Sequence, residues 1–290
     1  MIIRSTWASR LSYLAKQTNR VASEMEVVNE RATTGKAVNR PSDAPELTTR
    51  IMSLEREIVD QERYTEDSEY AANLQGMADQ VLLDLSSVVS EARTLAVQMG
   101  SDTYEGPVRT GSAKQAEQLI SQAMNLMNTT VADRHLFSGQ AYKTPPYGED
   151  FVYQGSDEVS EINVADNISV TVGFNGEEMG LGSVLEAIDS LRVALESDDA
   201  SNVRATLDAL TTATETISRA QTEVGVEQMT AVDFADFSSS MTLELQIQLS
   251  SFQDDDTIGS LVRLGQLETQ YQATLALTAK SQMGNLFNQI

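Results

Sequence analysis

The stretch LSYLAKQTNRVASEMEVVNERA, residues 11–32, decides the fold. Its inward positions are Leu11, Leu14, Thr18, Val21, Met25, Val28 and Ala32, with steps that alternate between three and four. That spacing draws one line along a helix, the a/d seam of a heptad repeat. Ser5 or Thr6 can cap its start, and Gly35 followed by Lys36 marks its stop. At about 1.5 Å per residue the segment makes a rod of roughly 40 Å. A seam this narrow requires a partner helix.

The residues that follow extend the same theme. A connector runs from Lys36 to Pro41, and Asp43, Pro45 and Glu46 predict a capped helix start. The helix they open carries Leu47, Ile51, Leu54 and Ile58, then Leu74, Val81, Leu85, Val88, Ala92 and Leu95, and ends near Gly100. Gly106-Pro107 begins another, with Ala116, Leu119, Ala123, Leu126 and Thr130 on one face. Between Ala141 and Gly182 the pattern becomes strict alternation: Ile162 and Val164, then Ile168, Val170, Val172 and Phe174. Asp166-Asn167 and Asn175-Gly176 supply turns, so this segment predicts β-hairpins.

Helical spacing resumes at Ser183, where Ser183 and Glu186 form a capping box. Leu207, Leu210, Thr214, Ile217, Gln221 and Val224 continue the three-four steps, and a further helix passes through Phe234, Phe237, Met241 and Leu245. Asp254-Asp255-Asp256 precede a last helix with Leu261, Leu264, Leu267, Tyr271 and Leu275. The fold class is therefore mainly α: an elongated helical-bundle or coiled-coil rod formed by both termini, with a small inserted β domain. The expected division is residues 1–42 with 255–290 as terminal helices, 43–140 with 183–254 as a helical rod, and 141–182 as the β insert.

Composition narrows the function. The 290 residues include 43 acidic and 20 basic side chains, a formal net charge of −23. Such a surface repels phosphate backbones and anionic lipids, which argues against nucleic-acid and membrane partners. Only 6% of residues are aromatic, a composition suited to helices with narrow stripes rather than to a globular enzyme. The absence of cysteine excludes thiol nucleophiles, thiolate metal sites and disulfides. No run approaches the ~20 apolar residues of a membrane span. The first residues, Met1 to Trp7, lack the apolar core of a cleaved secretory signal.

A search for catalysis finds little. His135 is the single histidine, no HExxH or calcium loop occurs, and no serine sits in a nucleophile elbow. No cofactor or metal is expected. Asp254-Asp255-Asp256 are read as stabilising the start of the last helix. Asn128-Thr129-Thr130 and Asn167-Ile168-Ser169 match a glycosylation sequon of low specificity. What remains is association. The last helix has a broad side of Leu264, Tyr271, Leu275 and Thr278, and small residues Ala273, Ala276 and Ala279 on which another backbone could close. Pairing of the two terminal helices within the chain is compatible with this, because two narrow seams leave apolar sides uncovered.

The segment Thr34 to Pro45, Thr-Gly-Lys-Ala-Val-Asn-Arg-Pro-Ser-Asp-Ala-Pro, resembles the connector after the first helix of the flagellin superfamily, in its hook-associated form. Arg134-His135-Leu136-Phe137-Ser138-Gly139, Thr144-Pro145-Pro146-Tyr147, Tyr153-Gln154-Gly155, Arg93 to Gln98, and Tyr271-Gln272-Ala273 through Leu286-Phe287 are similar to further parts of it, in the right order. The resemblance implies a secreted subunit of the bacterial flagellum, lying as a thin layer between the first hook-associated protein and flagellin. Its partners would be those two proteins, copies of itself, and a flagellar export chaperone covering the C-terminal helix before passage through the type III channel. The assembly and chaperone surface would use Leu11, Leu14, Val21, Met25 and Val28 with Leu261, Leu264, Tyr271, Leu275, Leu286 and Phe287. A filament-forming flagellin and a cytoplasmic helical tether or chaperone are the competing readings.

Overall fold

The computed structural model describes residues 7–101, 104 and 106–286, with side chains for residues 9–101, 104 and 106–281. The elements run α1 (Trp7–Thr34), α2 (Pro45–Met99), α3 (Gly106–Met127), β1 (Thr130–Val131), β2 (Arg134–His135), β3 (Ser160–Ala165), β4 (Ile168–Gly173), α4 (Leu181–Glu196), α5 (Ala200–Gln253) and α6 (Thr257–Leu286). The chain is mainly α with a small β region, as its periodicity predicts. It forms two compact units, one up to Val59 and from Thr242 onward, the other Asp60–Met241. The divisions fall inside α2 and α5. Turn-rich sequence marks where helices stop, whereas compactness follows where side chains are buried.

In the Asp60–Met241 unit, one hydrophobic core joins α2, α3, α4, α5 and the β3–β4 hairpin. Leu82, Leu85, Leu185, Leu191 and Leu210 are fully buried in it, and α3 packs on α4. The hairpin is antiparallel, with Ile162 opposite Val170 and Ala165 opposite Ile168. Asn167 adopts a left-handed φ of 62° in the two-residue turn, a conformation asparagine tolerates better than most side chains. Val164, Val170, Val172 and Phe174 face inward. Polar bonds tie the hairpin down: Tyr64 Oη donates to Asp166 Oδ1 at 2.7 Å, Gln75 Nε2 to the Thr171 carbonyl at 2.7 Å, and the Thr171 amide to Glu227 Oε2 at 3.1 Å. The β segment thus shares the core of the surrounding helices.

Several local expectations need correction. Thr130 lies in β1 rather than on α3, because Ala132 and Asp133 both take positive φ and turn the chain sharply into β2. The Asn128 side chain fastens this corner, donating to the Tyr147 carbonyl at 2.9 Å and accepting the Tyr147 amide at 3.1 Å. Helix α4 begins at Leu181 behind Gly180, whose φ is 73° and which offers no side-chain cap. Ser183 Oγ instead donates to the Gly180 carbonyl at 2.7 Å, so Ser183 and Glu186 form no capping box. The segments expected as two helices around Val224 and Phe234 are one helix, α5, through Gly225. On it Phe237 is 54% exposed while Ser238 is buried, which moves the inward stripe by one residue.

The C-terminus of α2 has no basic residue in its last turn, and two arginines from elsewhere supply the missing charge. Arg109, 7% exposed, donates to the carbonyls of Met99 at 3.1 Å and Ser101 at 3.1 Å and to Asp198 Oδ1 at 2.9 Å. Arg204 donates to the Gly100 carbonyl at 2.6 Å.

Candidate assembly interface

The unit that holds the termini is built differently. Helices α1 and α6 pair, and their contacts run from Gly35 and Asp255 at one end to Glu24 and Arg263 further along. The pair is therefore antiparallel. On α1 the seven seam residues are all partly or fully buried, with Val21 the most enclosed at 1% exposure. On α6 the inward line is Ser260, Leu264, Leu267, Tyr271, Thr274, Thr278 and Ser281, again in steps of four and three. Leu267 is fully buried.

Several of those positions are polar, and Thr274 in particular escapes a search for apolar residues. Thr274 is buried because its hydroxyl donates to the Tyr271 carbonyl at 2.8 Å, and Thr278 does the same to Thr274 at 2.8 Å. Thr18 on α1 bonds the Leu14 carbonyl at 3.0 Å. A threonine satisfied by its own helix can occupy a seam without an unpaired polar group. The step pattern alone, carried across polar residues, is the signal that identifies them.

The nominated residues separate into two sets. Leu11, Leu14, Val21, Met25, Val28, Leu264 and Tyr271 lie on the paired sides. Leu261 and Leu275 are 56% and 45% exposed, joined on the outside of α6 by Ile258, Val262 and Leu277. Leu286 is the last residue of α6, its side chain outside the described set, and Phe287 lies outside the described residues, as do Ser5 and Thr6. Beside the pair is a hollow of ≈ 420 Å³ floored by Val27, Val28 and Leu267 and rimmed by Arg20, Glu24 and Arg263. Glu24 stands 3.7 Å from Arg20 and 3.8 Å from Arg263.

The connector is held by backbone bonds. Gly35, at φ 70°, ends α1, and its carbonyl accepts the Asp255 amide at 2.9 Å. The Ala37 amide donates to the Gln253 carbonyl at 2.7 Å. Asp43 does not cap α2. Its Oδ2 accepts the amides of Arg40 at 2.8 Å and Asn39 at 3.1 Å, and these bonds, Arg40's first, hold its carboxyl below the usual range. With α2 starting at Pro45, Ala44 occupies the cap position. Of the three aspartates before α6, Asp256 alone is the cap, accepting the Gly259 amide at 3.1 Å, while Asp254 and Asp255 accept serine hydroxyls.

His135 is structural here. Its Nδ1 lies 2.9 Å from the Asn128 carbonyl at the end of α3, which places a proton on that nitrogen. Among the described residues no cluster suits a metal ion, and no helix is long and apolar enough to cross a membrane.

Residues 6–142 match the bacterial flagellin N-terminal helical region. The chain carries this flagellin region over just under half of its length. It is 27% identical over 251 residues to flagellar hook-associated protein 3 of Escherichia coli, covering 82% of this chain and 78% of that protein. The Salmonella typhimurium protein of the same name is 24% identical, over 86% of this chain and 80% of its own. In fold it is similar to a flagellar hook-associated protein from Vibrio parahaemolyticus, with a TM-score of 0.67 and 19% identity over 73% of this chain and 100% of that one. These similarities place the chain among the structural subunits of the bacterial flagellum.

Proposed function

We propose that this flagellar subunit forms the hook–filament junction, a layer adapting the first hook-associated protein to flagellin, with the α1–α6 pair as its means of assembly. The observation that carries the reading is the outside of α6, where Ile258, Leu261, Val262, Leu275 and Leu277 stand exposed on a helix already paired on its other side. An apolar surface of this kind marks a site where another chain can bind. The similarity to hook-associated protein 3 supports the junction position in particular.

A structural role agrees with the similarity to flagellar structural proteins. The subunit is exported without folding constraints from disulfides, and a chaperone covers α6 until then. Deleting the protein from its native cell is expected to leave hooks without filaments and to release flagellin into the medium. Filaments of normal length on the deleted strain would overturn the junction role. Long fibres grown from the purified chain alone would instead make it a filament subunit.

A further inference from the structure

Charge is segregated within the Asp60–Met241 unit. From Thr144 to Leu191 no lysine or arginine occurs, while carboxylates recur from Glu149 to Asp189. Just before this stretch stand two cations, Arg134 and Lys143, with the half-exposed Tyr142 ring between them. The Arg134 guanidinium lies 4.5 Å and the Lys143 ammonium 5.9 Å from that ring centre. Neither is ion-paired among the described residues, although acidic side chains outnumber basic ones about two to one in the chain.

A complementary surface lies in the same unit. A hollow of ≈ 430 Å³ is lined by Asp150, Phe151, Tyr153, Glu177, Gly182 and Glu186, among others. Tyr153 is fixed, its hydroxyl donating towards the carbonyls of Phe137 at 3.1 Å and Ser156 at 3.2 Å. Phe151 is fixed at a φ of 59°. Glu177 and Glu186 meet no cation among the described residues. Behind Gly182 and Glu177 stands the Tyr147 hydroxyl, on a residue 1% exposed and against the Gly182 backbone. A Cβ on Gly182 would come within 3.9 Å of that oxygen and 3.7 Å of Glu177 Oε2. Rings and carboxylates around an opening suit a guanidinium or ammonium group.

We infer that the Arg134–Tyr142–Lys143 patch of one copy docks into this hollow on a neighbouring copy, giving a lateral contact outside the terminal helices. Copies with this much negative charge repel one another when packed side by side. A cationic patch set against an acidic hollow converts that repulsion into a directed contact, and it is heterologous, so it can close a ring. The inference rests on the reading above, in which several copies form a layer.

The absence of cysteine allows a direct test. Lys143→Cys and Glu177→Cys chains are co-expressed in cells lacking the native copy, and sheared flagella are run without reductant. A disulfide-linked dimer is expected in excess of that from Lys143→Cys paired with Ser87→Cys. In parallel, the Arg134→Glu, Lys143→Glu variant is expected to lose about tenfold of its incorporation into flagella, with normal thermal melting. Incorporation should return when Glu177→Lys and Glu186→Lys are added. No excess of linked dimer, or no return on charge exchange, overturns the contact while leaving the flagellar role intact. Absence of even the unaltered chain from sheared flagella would sink the flagellar reading itself.

Discussion

The unit from Asp60 to Met241 and the unit that holds the termini are both made of long helices with three-four spacing, yet they bury side chains to different depths. In the first, leucines of α2, α4 and α5 at 0% exposure share one core with the valines of the hairpin. In the second, Val21, Ile51, Leu54, Ile58, Leu245 and Leu267 are the buried apolar residues among those described, and α6 leaves Ile258, Leu261, Val262, Leu275 and Leu277 exposed. Helical pattern alone does not separate them. The difference supports the proposal that one unit is stabilised by its own packing and the other by surfaces supplied by neighbouring chains.

The largest expected effect is in the packed unit. Leu185→Ala removes a fully buried side chain and should lower stability by about 3 kcal/mol, read from a denaturant midpoint. A change below about 1 kcal/mol would mean that this core is loose and the contrast with the termini is lost. Arg109→Met comes next. It strips the carbonyls of Met99 and Ser101 of their donor and should cost about 2 kcal/mol, with α2 fraying near Gly100 in hydrogen exchange. Unchanged exchange there would show that water replaces the guanidinium without penalty.

A smaller effect belongs to pH. Burial pushes the Tyr153 hydroxyl up from 10.0 to about 12, and burial pushes Tyr147 higher still. The folded unit therefore disfavours phenolates that the unfolded chain forms freely. The resulting stability is complete below pH 10 and is lost as pH rises through about 12. Alkaline titration should show two tyrosines ionising only as the packed unit melts. Ionisation of all tyrosines together before melting would contradict the burial. The smallest expected effect on stability is at Leu275→Asp, on the outside of α6: within about 0.5 kcal/mol in the monomer, but with loss of incorporation into flagella. A large fall in melting temperature would make Leu275 part of the chain's own core.

Much of this was legible in the residues. The α1 seam from Leu11 to Ala32, the hairpin turn at Asp166-Asn167 and the stop at Gly35 follow from spacing and backbone preference. Thr274 of α6 did not, because a search for apolar side chains overlooks a hydroxyl that its own helix satisfies. Asp43 departs from the expected cap for a related reason: a carboxylate two residues before Pro45 has helix amides and connector amides within reach, and only the backbone path decides between them. The division of the anchors, with Leu264 and Tyr271 inside and Leu261 and Leu275 outside, depends on which arc of α6 faces α1, which a heptad leaves open by one step.

Hydrogen exchange on the free monomer tests the central claim most directly. If the terminal pair depends on neighbours, amides in α1 and α6 should exchange fast, while those of α2 from Ala71 onward and of α4 remain protected up to global unfolding. Protection in α1 and α6 equal to that in α4 would contradict the account, because the terminal helices would then be stable without any neighbouring chain.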